Sequence, residues 1–301
     1  MAVFLAQGAS DFANGHVPVV DGRWAGRGRE VDGALGRGGR GYGGHMRSNP
    51  GGGNAIEKVL AVLEALPEHE RVTDIAGATG LAKSTVHRIL QSLVDRQFAI
   101  PTGSGSYIGG PRILSLAGKV MGRFNPAQHA DAALRGLCQE TGCTVHFALL
   151  DADQAVYAAK LEGAKPYRMP SRVGLGIRLH STAIGKSILA ALPPSEADAI
   201  MARTGLEART PNTVTDPTEL RRRLDEVRSR GWAYDDEENE PGILCIAAAV
   251  QGHTGAVIGA VSVATISLDP WPADVESLAA QVRSTADEVS TALGAPDRTT
   301  G

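Results

Sequence analysis

The stretch VTDIAGATGLAKSTVHRILQSL, residues 72–93, constrains the fold more than any other part of the chain. Its apolar residues recur at a spacing of three and four on both sides of Gly80. That spacing is typical of an α-helix with one buried side, and a glycine favours the left-handed turn that ends a helix. The stretch therefore predicts a short helix over about 74–79 and a longer one over about 83–96, joined by a tight turn.

The longer helix carries a polar side opposite its apolar side. The polar side holds Lys83, Ser84, Thr85, His87, Arg88 and Gln91. Hydroxyls and backbone N–H groups at a helix start suit phosphate oxygens, whereas Arg88 can reach guanine and Gln91 can reach adenine. An earlier apolar-periodic helix, and two short strands around PTGSG at 101–105, complete a winged helix-turn-helix. The pattern favours binding in the DNA major groove over a merely solvated helix face.

The charge of segment 54–110 is unusual for a DNA-binding domain. The segment has five Lys and Arg residues against six Asp and Glu residues, and the whole chain has a formal net charge of −3. One copy therefore neutralises few phosphates, so we expect affinity for duplex DNA to come from local placement of cations and from dimerisation.

Cysteine usage and hydropathy indicate the compartment. The three cysteines are Cys138, Cys143 and Cys245, with no Cys-x-x-Cys pair. An odd, low count favours a reducing cytoplasm over a disulfide scaffold or a zinc site. The sequence has no apolar run of 18 residues and no signal-peptide pattern at its start, so we expect no association with a membrane.

The first 53 residues differ in composition from the rest. They are rich in Gly and Arg without helical or strand periodicity, which predicts a disordered extension. Such a segment is either a nucleic-acid-binding tail or, as we favour, a passive extension, with Met46 as an alternative start. Beyond it we expect the winged helix-turn-helix at 54–110, a linker helix at 111–125, a further domain at 126–294 and a frayed tail at 295–301.

The pattern of residues 126–294 mixes helices and strands. After a helix over 127–141 come three apolar runs that predict strands, TVHFALL, AVYAAKL and YRMPSRV. A helix over 182–192, a polar region, a charged helix over 219–230, the strands ILCIAAAVQ and AVIGAVSVAT and a helix over 272–293 follow. Short turns between strands and flanking helices predict an α+β domain with a largely antiparallel sheet.

Several motifs together resemble the IclR family of bacterial transcriptional regulators. They are GLAKSTVHRILQSL, YIGGPRILSLAGKV, GLGIRLHSTAIGKSILA, RGWAYDDEENEPGILCIAAAV and VIGAVSVAT. They occur in family order from about residue 54 to 294. The resemblance implies a winged helix-turn-helix, a linker helix and an effector-binding domain of GAF-like fold. It also implies a homodimer or homotetramer that binds palindromic operators and has no catalytic activity or cofactor.

The resemblance also implies a pocket for a small organic acid. The family's effector-binding positions correspond to Ala183, Ile184, Asp235, Ile243, Cys245, Ser262 and Ala264. The helix that starts near Thr182 has free N–H groups that suit a carboxylate, and Asp235 as an anion would pair with a hydroxyl or amine of the ligand. Ala183, Ile184 and Ala264 make the pocket more apolar than that of a glyoxylate-type member, so we expect a larger, for example aromatic, acid. For Ile243 and Ala264 ordinary core packing is an equally good interpretation.

Other functions are less well supported by the residues. The GKS at 185–187 resembles a phosphate-binding loop, but His180 stands where that loop needs glycine. The acidic run at 235–240 lacks the alternation of a calcium loop, and we expect no metal site. An enzyme that uses Asp235 and His180 as acid and base is the main alternative, yet His146 and His180 have no nucleophile motif beside them. A structural DNA-binding protein without a ligand is a third hypothesis.

Overall fold

The computed structural model describes residues 54–122, 124–269, 271 and 273–296. These form two compact units that meet in sequence between Phe124 and Asn125. The predictions for the extension 1–53, and for all but the first two residues of the tail 295–301, lie outside the described residues.

The first unit is three helices followed by a two-stranded antiparallel wing and a fourth helix. Its elements are α1 (Ala55–Ala65), α2 (Val72–Thr79), α3 (Lys83–Asp95), β1 (Ala99–Gly103), β2 (Ser106–Gly109) and α4 (Pro111–Met121). Asn54 caps α1 in a reciprocal arrangement with Glu57. Gly80 ends α2 at φ 67°, which is why the turn before α3 needs glycine. Val62, Ile75 and Leu90 fill the core between α1, α2 and α3.

Helix α2 starts two residues earlier than predicted. The Arg71 carbonyl accepts from the N–H groups of Asp74 and Ile75, and Arg71 also pairs with Ser106 in a β-bridge. The wing therefore fixes the extended residue that precedes the helix. Thr73 lies inside α2, where its hydroxyl donates to the Asp74 carboxylate at 2.9 Å.

The second unit is a six-stranded antiparallel sheet with helices on both faces. Its elements are α5 (Pro126–Thr141), β3 (Thr144–Asp151), β4 (Gln154–Leu161), β5 (Gly176–Ile177), α6 (Ala183–Ala191), α7 (Pro194–Thr204), α8 (Pro217–Arg230), β6 (Ala233–Asp236), β7 (Ile243–Gln251), β8 (Val257–Ile266) and α9 (Val275–Ala292). The strand order is β5-β4-β3-β8-β7-β6. The two units together confirm the predicted α+β class.

Alternation along the strands separates two cores. Ala247 and Ala260 point to the face where Ile188 of α6, Ile200 of α7 and Leu224 of α8 pack. The alternate residues of the same strands, such as Ile246 and Val263, point to the opposite face of the sheet. They are also buried there, where α5 and α9 contact the strands. The sheet is therefore covered on both sides, and the first face also carries the site described below.

Three local predictions for this unit were wrong. Residues 167–173 do not form a strand, because the carbonyls of Met169 and Ser171 accept from Lys160 Nζ at 2.7 and 2.8 Å instead of from a neighbouring strand. The region read only as polar contains α7, which begins at Pro194, a residue suited to a first helical turn. Strands β5 and β6 were not predicted. Among the described helices, none is long and apolar enough to cross a membrane.

Candidate functional site

Helix α3 separates its polar and apolar residues as its periodicity predicts. Val86, Ile89, Leu90 and Leu93 are buried against the rest of the first unit. Lys83, Ser84, His87, Arg88 and Gln91 are exposed, and Thr85 is half-buried. Ala82 gives the helix start no side-chain cap, so its first N–H groups are available to an external acceptor such as a phosphate oxygen.

Gln91 has a partner that the sequence did not indicate. Its Nε2 donates to the Tyr107 hydroxyl at 3.0 Å, and Tyr107 is a buried residue of wing strand β2. The bond fixes the side chain that was expected to contact adenine and ties α3 to the wing. Gln91 can still accept through Oε1 and donate through its second Nε2–H, so pairing with adenine is compatible with the Tyr107 bond.

The second unit contains a cavity of about 540 Å³. Seven of its lining residues are the predicted effector positions Ala183, Ile184, Asp235, Ile243, Cys245, Ser262 and Ala264. The strand register explains why residues far apart in sequence meet here. Asp235 pairs with Cys245, and Cys245 pairs with Ala264, so the three lie side by side across β6, β7 and β8. Ser262, two residues before Ala264, is on the same face.

The start of α6 forms one wall of the cavity. The Thr182 hydroxyl accepts from the N–H of Gly185 at 2.9 Å and donates to the Arg178 carbonyl at 2.7 Å. The N–H groups of Ala183 and Ile184 are the first two of the helix and have no intrahelical acceptor. These two donors, with the positive end of the helix dipole, suit a carboxylate.

Gly185 has a packing role rather than a phosphate-binding one. A Cβ at this position would lie 2.2 Å from the Cα of Leu179 and 2.3 Å from its carbonyl oxygen. Only glycine lets the helix start approach the preceding segment this closely. The GKS at 185–187 is thus part of a buried helix and not of a phosphate-binding loop.

Asp235 is a buried carboxyl group whose charge is partly suppressed. Its Oδ1 accepts from the N–H groups of Glu238 at 2.8 Å and Asn239 at 3.4 Å. Burial raises the pKa of Asp235 to about 7, although the nearby Lys186 ammonium and the two N–H donors act in the opposite direction. The side chain is therefore partly protonated near neutral pH, which differs from the expectation of a plain anion.

The two histidines that an enzyme would need are held in structural contacts. His146 Nε2 lies 2.7 Å from the Ser171 hydroxyl, and burial, assisted by the Lys160 charge, lowers the pKa of His146 to about 3. His180 Nε2 lies 3.0 Å from the Glu207 carbonyl, and burial lowers the pKa of His180 as well. Both shifts favour the neutral ring, and neither histidine is held by a carboxylate in the way that a catalytic base is oriented toward a nucleophile.

A buried ion pair connects α6 to the segment that follows β6, next to the cavity. Lys186 Nζ contacts Glu238 Oε1 and the Tyr234 carbonyl, and both charged side chains are 3% exposed. Glu238 adjoins the loop that brings Asn239 to the cavity, where the Asn239 amide oxygen accepts from Ser181.

The sequence did not predict this ion pair. It also did not predict six further lining residues of the cavity: His146, Tyr157, Ser171, Arg178, Arg209 and Asn239. In the described part of the chain, no cluster of three or more His, Cys, Asp or Glu could hold a metal ion.

Comparison with known proteins assigns these two units to a family. The model for the IclR helix-turn-helix domain matches residues 55–99, and the model for the bacterial transcriptional regulator IclR C-terminal domain matches residues 118–291. The chain belongs to the IclR family. It is a DNA-binding transcriptional regulator and not an enzyme, as predicted.

Individual relatives agree with this assignment. The regulator XynR of Escherichia coli is 32% identical over 246 residues, which cover 80% of this chain and 98% of XynR. The regulator KdgR of Dickeya chrysanthemi is 31% identical over 255 residues, 84% of each chain. The crystal structure of Thermotoga maritima IclR matches with a TM-score of 0.55 at 32% identity, over 79% of this chain and 98% of that one. The C-terminal domain of Escherichia coli KdgR matches over 57% of this chain and 99% of its own, with a TM-score of 0.51 and 30% identity.

Proposed function

We propose that this regulator senses a small organic acid in the cavity of its second unit and thereby changes its affinity for a palindromic operator in cytoplasmic DNA. The observation that carries this proposal is the convergence of seven residues from α6, β6, β7 and β8 on one cavity beside two unsatisfied helix-start N–H groups. A ligand that contacts the two conformations of a regulator differently shifts the equilibrium between them. The cavity is the place where such contacts can form.

The lining of the cavity supports an acid with a sizeable body. Ile177, Ile184 and Ile243 supply apolar surface, whereas the polar groups lie at the α6 start, at Asp235 and at Ser262. The Ser262 hydroxyl has no hydrogen-bond partner among the described residues, and the residue is 2% exposed to solvent. A hydroxyl that lines a cavity without a partner is an available donor for a ligand oxygen.

For the DNA-binding unit, we propose that a second copy covers apolar residues left open on α1 and α4. Ile56 and Leu60 lie one turn apart on α1 and are 70% and 49% exposed, and Leu116 and Val120 have the same spacing on α4. Apolar stripes of this kind mark interaction surfaces. Two copies would also double the number of Lys and Arg side chains near the operator. This matters because one unit, with slightly more acidic than basic residues, neutralises few phosphates.

The DNA contact is tested by replacing single residues of α3. If Arg88 reads a base edge, Arg88→Ala weakens operator binding by about 1–3 kcal/mol and relaxes selectivity at one base position. Lys83→Ala should weaken binding to all sequences evenly, because Lys83 lies at the helix start near the phosphates. Fluorescence anisotropy at fixed salt, with an operator fragment from the DNA flanking the regulator's own gene, measures both. Equal affinity of wild type and the Arg88 variant would refute base reading.

The effector site is tested by a thermal-shift screen of organic acids on the full chain, followed by calorimetry. A ligand raises the melting temperature by binding the folded state, and Ser262→Ala should reduce its affinity by about 0.5–1.5 kcal/mol. Val263→Ala is the matched control, because Val263 is the next residue on β8 and points to the opposite face of the sheet. Unchanged affinity of the Ser262 variant for every acid found would place the pocket elsewhere.

A further inference from the structure

Arg209 lines the cavity and has no counter-ion in the described part of the chain. The residue is exposed at the cavity rim, and its guanidinium forms no ion pair or side-chain hydrogen bond there. The other arginine of the lining, Arg178, is paired with Glu207. Of these two guanidinium groups, the one on Arg209 is therefore available to a ligand.

The backbone on both sides of Arg209 is fixed. On one side, the Glu207 carbonyl contacts His180, two residues before the α6 cap Thr182. On the other side, the Thr210 hydroxyl donates to the Glu237 carbonyl at 2.7 Å, and the N–H of Arg209 itself donates to the Thr213 hydroxyl at 2.9 Å. Arg209 thus stands on the part of the rim between the start of α6 and the loop after β6.

We propose that Arg209 is the residue that makes the cavity selective for an acid, by pairing with the carboxylate that the α6 start binds. This inference rests on the proposed effector function and adds the group that supplies a full positive charge. Helix-start N–H groups contribute only partial charge, whereas a guanidinium offers a fork of donors that matches the two oxygens of a carboxylate. The N–H groups of Ala183 and Ile184 and the Arg209 fork would hold the acid group between them.

The remaining charges of the cavity agree with a single anionic group at that position. Asp235 directs Oδ1 to backbone N–H groups, and Glu240 lies in the loop after β6. Two acidic side chains in the lining would repel an acid that had no cation of its own. Ser262 provides a further donor in the cavity, because the residue lines it and its hydroxyl has no partner among the described residues. The ligand class is therefore a monocarboxylic acid with an apolar body and a hydroxyl group.

The test compares acids with their uncharged amides, which have nearly the same shape. The probes are mandelate with mandelamide, phenylacetate with phenylacetamide and pentanoate with pentanamide, and calorimetry on the full chain measures their affinities. For the acids, Arg209→Gln should lose at least tenfold in affinity, which corresponds to about 1.4 kcal/mol. For the amides, the same variant should match wild type. Arg209→Lys keeps the positive charge but loses the forked pair of donors. Its affinity for the acids should therefore lie between those of wild type and the Arg209→Gln variant.

Arg221→Gln is the matched control, because Arg221 is an exposed arginine that is paired with Asp198 and lies outside the cavity lining. It should change acid binding by less than threefold. Equal acid affinity in the Arg209→Gln variant and wild type would overturn the assignment, and so would an equal loss for acids and amides, which indicates a structural role. If wild type binds acids but prefers amides, the effector site stands and the role of Arg209 is refuted. If wild type binds none of the probes and no other acid in the screen, the effector function itself fails, and this inference with it.

Discussion

Replacing Lys186 by methionine should destabilise the second unit strongly. Lys186 and Glu238 are each 3% exposed, and Lys186 also donates to the Tyr234 carbonyl. Without the ammonium group, the buried Glu238 carboxylate keeps the Arg223 guanidinium at 3.6 Å as a counter-charge, but the Arg223 side chain is 40% exposed. One of its oxygens, Oε2, already has no hydrogen-bond partner. The variant therefore leaves a charge in the protein interior that the partly exposed Arg223 compensates only weakly.

The expected magnitude follows from this burial. Removing one partner of a buried ion pair typically costs about 3–5 kcal/mol. For a unit of this size, each kcal/mol lowers the melting temperature by roughly 2–4 °C, so the loss is about 6–20 °C. Urea unfolding of the full chain, followed by tryptophan fluorescence, measures the lost free energy of unfolding. Trp232 is a suitable probe because it is buried directly before β6.

The double variant Lys186→Met, Glu238→Leu separates charge from packing. Replacing both partners by apolar groups of similar volume removes the buried charge, so most of the lost stability should return. Arg203→Gln is the control, since its pair with Asp153 is on the surface and contributes only about 0.2–1 kcal/mol. If Lys186→Met unfolds within about 1 kcal/mol of wild type, or the double variant is no better than the single one, the reasoning from buried charge is wrong.

Three further changes test other contacts. Gly185→Ala should destabilise by about 1–3 kcal/mol or more, because its Cβ would lie 2.2 Å from backbone atoms of Leu179, and denaturant unfolding measures this. Tyr107→Phe removes the bond to Gln91, so it should cost about 0.5–1.5 kcal/mol of stability and alter selectivity among operator variants in an anisotropy series. Val120→Asp places a charge on the exposed apolar side of α4, so it should weaken self-association, which sedimentation equilibrium measures. A sedimentation profile equal to that of wild type would show that α4 is not the interface.

Local periodicity was sufficient to predict the helices that carry the two sites. The spacing of Val86, Ile89, Leu90 and Leu93 marks α3 in the sequence, and the burial of these four residues confirms the helix. The seven effector positions came from family resemblance, since no local rule connects Ala183 with Cys245 or Ser262. Only the register of β6, β7 and β8 brings them to one face of the sheet.

The features that were missed depend on tertiary contacts between distant residues. Strand β6 has four residues with a buried acid among them, so neither its length nor its hydropathy distinguishes it from a loop. Lys186 and Glu238 are 52 residues apart, and each is of a type that is usually exposed. The backbone on either side of Arg209 is held by the contact of His180 with the Glu207 carbonyl and by the bond from the Thr210 hydroxyl to the Glu237 carbonyl. Sequence spacing does not reveal either contact.

The raised pKa of Asp235 links the stability of the cavity to pH. Its value of about 7 in the folded chain lies above the value of about 3.9 of an unfolded chain. Between these values the folded state binds more protons than the unfolded state, so this carboxyl group lowers stability progressively as pH rises from about 4 to about 7. Asn at position 235 keeps an oxygen for the Glu238 N–H but has no charge. Asp235→Asn should therefore gain stability relative to wild type between pH 5 and pH 8 in urea unfolding.

The same ionisation acts on the effector, because a carboxylate ligand is repelled by the charged form of Asp235 and not by the neutral form. Acid binding to wild type should then weaken from pH 6 to pH 8, while binding to the Asp235→Asn variant stays level over that range. Mandelate titrated by calorimetry at both pH values gives the comparison, with mandelamide as the uncharged reference. A stability difference between variant and wild type that is the same at pH 5 and pH 8 would show that Asp235 is ionised throughout. In that case the ligand's acid group is bound against a permanent negative charge, and a cation at the rim such as Arg209 becomes a stricter requirement for binding.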